Sequence, residues 1–530
     1  MLFMQTEYYL AAAGLRLSEV IIYSSVWIVI GCFIAAIFRR MLGPDKVRRI
    51  FANDTRWGLA VGWLIGMLLP VCSLGVIPVV RELHRAGVNR GTIVAFGLTA
   101  PLFNPMSVLY GLTLSDPIAI LSFSLCALVI VSVLGSIWDR FMTVEAGKTE
   151  SFAVPAAGIK RSFAVFYSAS KEMVGPTLGY IVVGIAASVL LAVLLPKGYL
   201  QAHVERDNAL APVVVALVAT PIYSSPLLAM SQIGGMFQHG NSIGAAFSLL
   251  ILGAGVNIGL LLWFGMTYGV RRVILFYVLL LATTVGLAHA IDEPLYPKGV
   301  DPAGHSHAFD VYSNPFSPNQ PNTLTSAQSK VTEFWNSNEF GGTYLLGALI
   351  VFGLILSMTA RSFDFEEWFA TEDASANRLN QDVPGWVVGM TVVVGLVSSS
   401  VMGCYLYYPA PEDLLGDLSM FNAEAVVCSK TKNWEAAEKW IAYSDDMSRR
   451  LEVGVFLREG TVGEFQSGKA QNYREHLDRL KEAVESRNDK SVEKLAMEVS
   501  SAYLRMSDSF RNRPSATKKS PKEPDSEPKS

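Results

Sequence analysis

Runs of about twenty apolar residues free of Asp, Glu, Lys and Arg constrain this chain more than any other feature, because an α-helix needs about that length to cross a 30 Å hydrocarbon core. Ten such runs lie near residues 20–38, 57–80, 91–114, 117–138, 174–195, 210–230, 243–268, 273–291, 342–360 and 385–405. They lack the short alternation of barrel strands, and backbone amides in lipid have no water partner, so each is expected to be helical. The composition agrees: 51% of the 530 residues are hydrophobic and 17% charged. The sequence therefore predicts an all-α, polytopic membrane helix bundle. No small-residue cleavage pattern accompanies the first run, which is expected to be retained.

The basic residues set a puzzle of orientation. Arg39, Arg40, Lys46, Arg48, Arg49 and Arg56 form one cluster, and Arg140, Lys148, Lys160, Arg161 and Lys171 another, with three apolar runs between them. Three crossings place the clusters on opposite faces, against the rule that cytoplasmic loops collect Lys and Arg. Either one cluster breaks that rule or one run fails to cross. The second option suits the run at 57–80, which contains Pro70 and Pro78, and the next, which contains Pro101 and Pro105. Broken or re-entrant helices are expected there.

An internal repeat marks the centre of the chain. From Pro70 the sequence reads PVCSLGVIPVVRELHRAGVNRGTIVAFGLTAPLFNP, and from Pro221 it reads PIYSSPLLAMSQIGGMFQHGNSIGAAFSLLILGAGVN. Gly87, Gly91 and Asn104 share the spacing of Gly240, Gly244 and Asn257, and Ser73 matches Ser224. Duplicated halves whose helices are interrupted at corresponding places point to a transporter's central site, since freed backbone groups are tolerated at membrane depth only against protein or a watery cavity. The candidate solute path consists of Pro70, Cys72, Ser73, Pro78, Pro101, Asn104, Pro105, Pro221, Tyr223, Ser224, Ser225, Pro226 and Asn257. The amides of Asn104 and Asn257 could equally serve packing between helices.

Other chemistries fit less well. No Asp or Glu falls at the centre of the first eight runs, which disfavours coupling through a buried carboxylate; His84, His239 and His289 lie at loops or span ends. Gly147-Lys148-Thr149 has Met142 where a P-loop needs its first Gly, and Gly463 to Lys469 ends in Ala470 instead of Ser or Thr. No HExxH and no neighbouring nucleophile and base suggest an intramembrane enzyme. Cys32, Cys72, Cys126, Cys404 and Cys428 have no paired spacing, and a net charge of −3 gives no reason to invoke nucleic acid. No cofactor is implied, and a metal role stays open.

The stretch PVCSLGVIPVVRELHRAGVNRGTIVAFGLTAPLFNPMSV resembles the signature of the predicted permease family that includes the organoarsenical efflux permeases, formerly a domain of unknown function. PIYSSPLLAM and GNSIGAAF are similar to its second-half motif, and the resemblance covers about residues 15–290. It implies a permease moving a small solute, with efflux of metalloid or organoarsenical species as the specific form. In the arsenical exporters, thiols of the first motif are the expected ligands, a role that Cys72 would take by position. Ser73 and Leu74 follow Cys72, so this segment offers no second sulfur, whereas soft ions generally want more than one.

The expected organisation is a permease domain at 15–291 made of two homologous four-helix halves, with repeat cores at 57–138 and 210–291 and Pro/Gly-interrupted helices. A polar loop at 292–341, an additional transmembrane hairpin at 342–405, a small soluble helical domain at 412–512 and a disordered tail at 513–530 follow. The loop's His305 and His307, flanked by Asp301 and Asp310, read as solvated rather than metal-binding. In the soluble domain, a helix opening near Asn433 carries a stripe of Trp434, Ala437, Ile441, Met447, Leu451 and Val455, and another near Ser491 carries Val492, Leu495, Val499, Leu504 and Met506. Expected partners are the lipid bilayer, a small solute, a protein at the C-terminal helices and further copies of the chain. The expected location is a plasma membrane of the bacterial inner-membrane type. A membrane-anchored receptor or assembly scaffold working through the C-terminal helices is the competing reading.

Overall fold

The computed structural model describes residues 2–52, 57–141, 159–196, 198–297, 308–316, 322–335, 341–360, 363–370, 394–395, 398 and 400–511. Every regular element among the described residues is helical. Arg56, Lys148, Asp301, His305, His307, most of the run at 385–405 and the 513–530 tail lie outside them. The chain divides into two compact units, Met1–Val401 and Met402–Ser530.

Among the described residues, five helices are long and apolar enough to cross a bilayer: Thr6–Ile50, Pro117–Arg140, Pro176–Leu194, Val270–Asp292 and Gly341–Thr359. A sixth span arises if the pair Ile243–Ala254 and Ile258–Tyr268, bent by 58°, counts as one. The chain is a multi-pass membrane protein. The count is lower than ten because four of the apolar runs are interrupted and most of the run at 385–405 lies outside the described residues. The run at 57–80 becomes α3 (Gly58–Leu68) and the start of α4 (Val76–Arg85); that at 91–114 becomes α5 (Arg90–Thr99) and α6 (Pro105–Leu114). Likewise α10 (Ala211–Ala219) is parted from α11 (Pro226–Gln238), and α12 (Ile243–Ser248), prolonged by a π-helical turn to Ala254, is parted from α13 (Ile258–Tyr268). The uninterrupted helices around them are α1 (Leu2–Ile37), α7 (Pro117–Phe141), α9 (Pro176–Leu194), α14 (Val270–Asp292) and α16 (Gly341–Thr359), with short α2 (Gly43–Ile50), α8 (Ile159–Glu172), α15 (Thr323–Trp335) and α17 (Phe365–Ala370) at the ends of the bundle.

Proline placement explains the breaks. Pro70, Pro101 and Pro221 fall inside the gaps, while Pro105 and Pro226 sit in the first turn of α6 and α11, where the missing N–H would have no helical partner anyway. Pro78 differs from expectation: it lies in the first turn of α4 and interrupts nothing.

Small residues reveal the helix directions. Gly58 packs on Thr92, Gly62 on Thr92 and Phe96, and Gly66 on Thr99 and Ala100, so α3 and α5 run parallel. Between them α4 must run back, and its Val80 packs on Gly97 of α5. The α3–α4 pair is therefore a hairpin with both ends at one end of the bundle, and α5–α6 alone continues to the other. Gly91 at the start of α5 meets Gly135 and Asp139 at the end of α7, which returns. This resolves the puzzle of the basic clusters: Arg40 donates to Ser168 Oγ of α8 at 2.7 Å, so the two basic segments share one end of the bundle.

The later elements repeat the arrangement. Gly244 packs on Pro212 and Gly253 on Ala219, making α10 and α12 parallel, and Gly244 also meets Ala288 near the end of α14. Yet α11 runs alongside α6 in the same direction, with Gly111 on Met230 and Gly234 on Leu114. The α10–α11 hairpin thus enters from the end opposite to α3–α4.

The segment at 292–341 is more than a polar connection. Phe316 and Ala327 bury Ala11, Ala12 and Leu15 of α1, Arg16 Nη2 donates to the carbonyls of Asp310 and Ser313 at 2.7 Å, and Asn314 N donates to the Leu195 carbonyl at 2.8 Å.

The second unit is a four-helix bundle of α18 (Pro411–Lys430), α19 (Trp434–Glu459), α20 (Glu464–Glu485) and α21 (Asp489–Arg511). Asn433 caps α19 by accepting from Ala436 N, and Gly460 ends it with a positive φ of 76° that favours glycine. Its core includes Leu418, Ile441, Leu451, Val455, Tyr473, Leu477, Leu480, Val499 and Met506. Leu504, assigned to the inward stripe by its spacing, points outward at 65% exposure.

Candidate substrate site at the helix breaks

The four gaps, 69–75, 100–104, 220–225 and 255–257, meet near the middle of the first unit. The Asn257 amide donates to the Ser73 carbonyl, joining the break before α13 to the tip of the α3–α4 hairpin at 2.5 Å. Gly255 packs on Leu98 and Leu102, joining the breaks of the two continuous spans. The Tyr223 hydroxyl lies against the Cys72 thiol, joining the two hairpin tips. That hydroxyl also reaches the Tyr23 carbonyl of α1 at 3.3 Å, and Tyr223 N donates to Ser188 Oγ of α9 at 2.9 Å. The structure therefore brings together Cys72, Ser73, Tyr223 and Asn257 by direct contact, with Pro70, Pro101, Asn104, Pro105, Pro221, Ser224, Ser225 and Pro226 in or beside the same gaps. Pro78 stands apart, in α4.

The two asparagines have the same local chemistry. Asn104 has φ −142° and ψ 165° and caps α6, its Oδ1 accepting from Ser107 N; Asn257 has φ −141° and ψ 163° and caps α13 by accepting from Leu260 N. Extended backbone with a side-chain oxygen turned onto the first helical amides is the ordinary N-cap geometry, worth about 1 kcal/mol. Ser225 caps α11 by accepting from Leu228 N at 3.2 Å. Cys72 Sγ accepts from Gly75 N at 3.3 Å, so the thiol also helps close the turn into α4.

The correspondence between the repeats extends to two carboxylates at the outer ends of the bundle. Asp139 at the end of α7 accepts from Gly91 N at 2.7 Å, and Asp292 at the end of α14 accepts from Gly244 N at 2.9 Å. Both pairs are separated by 48 residues. The offset that relates Gly87 to Gly240 and Asn104 to Asn257 also relates Asp139 to Asp292, so the signal was available in the sequence. Gly87 and Gly240 both have positive φ, 77° and 61°, and turn the chain tightly between helices.

Among the described residues, two buried side-chain atoms of the gaps have no hydrogen-bond partner: Asn104 Nδ2 and Ser73 Oγ, both on residues with 0% exposure. The pairing is thus unequal, since Asn257 spends its amide N–H on a hairpin tip and Asn104 does not. Among the described residues no group of three or more His, Cys, Asp or Glu side chains is placed to hold a metal ion.

At the basic end, Glu172 of α8 bridges Arg81 at 2.9 Å and Arg85 at 2.5 Å, both on α4. Burial pushes the Glu172 carboxyl up, but Arg85 and Arg81 outweigh it and hold the group below its usual range.

Residues 14–291, just over half of the chain and the segment that carries all of these breaks, match the family described as "Predicted permease". The chain belongs to that family. It is similar to the "UPF0718 protein YcgR" of Bacillus subtilis (strain 168), with 33% identity over 88 residues, 17% of this chain and 30% of the relative. It is also similar to a Streptococcus mutans serotype c (strain ATCC 700610 / UA159) protein named "Putative two-component membrane permease complex subunit", with 26% identity over 88 residues, 17% of this chain and 29% of that one. The chain thus spans about 30% of the length of these curated relatives. No solved structure matches it significantly.

Proposed function

We propose that the chain moves a small solute across the membrane through the meeting point of its four helix breaks. The permease domain is read as two homologous four-helix halves of opposite orientation: α1 with α3–α7, and α9 with α10–α14. The observation that carries this reading is the pair of hairpins, α3–α4 and α10–α11, which enter from opposite ends and touch at their tips through Cys72 and Tyr223. Residues in corresponding places of the two repeats meet across a local two-fold relation, as expected where inverted repeats build a central site. In a bilayer each hairpin is re-entrant, and its irregular tip is sheltered by protein. Loosening one tip or the other opens the centre to one side at a time. The basic clusters support a cytoplasmic position for the α3–α4 side, and the protein is read as residing in a plasma membrane.

Metalloid or organoarsenical efflux rests on Cys72, a single buried thiol in contact with Gly75 N and Tyr223. The C-terminal bundle is read as the docking module for a protein partner, a role supported by the relative named as a complex subunit. Uptake of trivalent methylarsenical into everted vesicles, with wild type beside Cys72→Ser and Asn104→Ala, tests the substrate. Accumulation abolished by Cys72→Ser at unchanged expression establishes metalloid export through a thiol site. Absence of accumulation removes that substrate and leaves the permease reading to other solutes.

A further inference from the structure

The four half-helices that leave the centre, α4, α6, α11 and α13, all begin there, at the tips and breaks that contact one another. Each helix start presents the positive end of the helix dipole, with Gly75 N, Ser107 N, Leu228 N and Leu260 N already paired to neutral caps. Four helices also end there, yet turn-forming amides and a hydroxyl cover carbonyls of their last turns: Leu69 N donates to Gly66 O, Leu102 N to Thr99 O, Ile222 N to Ala219 O, Gly255 N to Leu250 O and Thr99 Oγ to Ala95 O. Among the buried side-chain atoms of the gaps, those without a hydrogen-bond partner are Asn104 Nδ2, an obligate donor, and Ser73 Oγ, a hydroxyl that can donate.

The capping chemistry points the same way. Where α5 and α12 start at the ends of the bundle, carboxylates from neighbouring helices accept from their first amides, Asp139 from Gly91 N and Asp292 from Gly244 N, alongside the cap that Ser242 provides to α12. At the central starts the caps are neutral, Asn104, Ser225 and Asn257. Asp caps a helix as well as Asn does. A central carboxylate would suit a cationic solute and cancel the field of the helix starts; the gaps contain no acidic residue.

We propose that the meeting point of the breaks is an anion-binding site, taking a small oxyanion or carboxylate whose oxygens accept from Asn104 Nδ2 and Ser73 Oγ and lie against the starts of α4, α6, α11 and α13. This inference rests on the permease reading and names its substrate class. Helix starts at broken spans are a recurrent way to hold an anionic group inside a membrane. The full burial of Asn104 and Ser73 makes the site occluded, so that solute enters by displacement of a hairpin tip.

The test uses the full chain, purified and reconstituted into proteoliposomes, with sodium salts of formate, acetate, sulfate, thiosulfate and phosphate as probes. Chloride at matched ionic strength and neutral arsenous acid serve as comparisons. Thermal stabilisation in detergent and flux into the vesicles are both read. Asn104→Asp keeps the cap on α6 while replacing the free donor with a negative acceptor, and Asp139→Asn serves as a control away from the site. The expected result is that at least one oxyanion or carboxylate stabilises and crosses in the wild type and the control. In Asn104→Asp its apparent affinity falls at least tenfold, with the thermal midpoint of the unliganded protein within a few degrees of wild type. Movement of arsenous acid alone, unchanged in Asn104→Asp, overturns the anion site and leaves the permease. If no probe exceeds chloride in either readout, the anion site falls; if arsenous acid is also inert, the permease reading falls with it.

Discussion

At the scale of single residues, the two asparagines show how one side chain can hold a helix start and also tie down a hairpin. Asn257 does both, capping α13 and donating to Ser73 O, whereas Asn104 only caps α6. Removal of the side chain at each position should therefore cost unequally. Asn104→Ala loses a cap of about 1 kcal/mol, and Asn257→Ala loses a cap plus a buried hydrogen bond of about another 1 kcal/mol. Thermal melting of the purified full chain is expected to show the larger drop for Asn257→Ala, and equal drops would mean that the bond to the hairpin tip contributes nothing. The sequence showed these residues as matching and as lying at membrane depth. It could not show which was paired, because pairing depends on how close each hairpin tip approaches.

At the scale of elements, the breaks were largely legible and their consequence was not. Pro70, Pro101 and Pro221 marked the gaps because proline removes a helical donor and clashes with the preceding turn. Pro78 misled for the same reason in reverse, since in a first turn neither penalty applies. Whether α4 continues α3 or turns back on it depends on packing between Gly58, Gly62, Gly66 and α5, and glycine spacing alone does not name its partner helix. Once the hairpin is formed, its base needs an anchor at the basic end, and Glu172 with Arg81 and Arg85 supplies one. The Glu172 carboxyl is buried, which raises its proton affinity, but the two guanidinium groups prevail and hold it below the usual carboxylate range. A carboxyl held low in the folded state contributes stability above its unfolded value, and that contribution is lost as pH falls through the folded one. The melting temperature of the wild type should thus decline on acidification below about pH 4.5, with Glu172→Gln lower at neutral pH and flatter across the same range. A slope that Glu172→Gln leaves unchanged would assign the acid sensitivity to other carboxylates.

At the scale of the whole molecule, apolar length pointed to an all-helical, multi-pass membrane protein, and the conflict between the two basic clusters bears on the proposed topology. Each cluster obeys the positive-inside rule only if one of the three apolar runs between them returns to its own side, and the parallel packing of α3 with α5 identifies that run. The reading makes a direct demand on a membrane-embedded protein. Lys46 in α2 and Lys171 in α8 are both exposed, and they flank the region between the first and fifth apolar runs. With α3–α4 re-entrant, α5–α6 and α7 contribute two crossings, so both lysines face the same compartment; with three crossings they face opposite ones. Single Lys46→Cys and Lys171→Cys variants, treated with a membrane-impermeant maleimide in right-side-out and everted vesicles, separate these cases. Four of the five native cysteines are buried and Cys126 lies within α7, which keeps background labelling low. Both variants are expected to react in everted vesicles and to be protected in right-side-out ones. Reaction from opposite sides would make α3–α4 a crossing pair, remove the opposed hairpins on which the inverted halves depend, and require a different route for the solute.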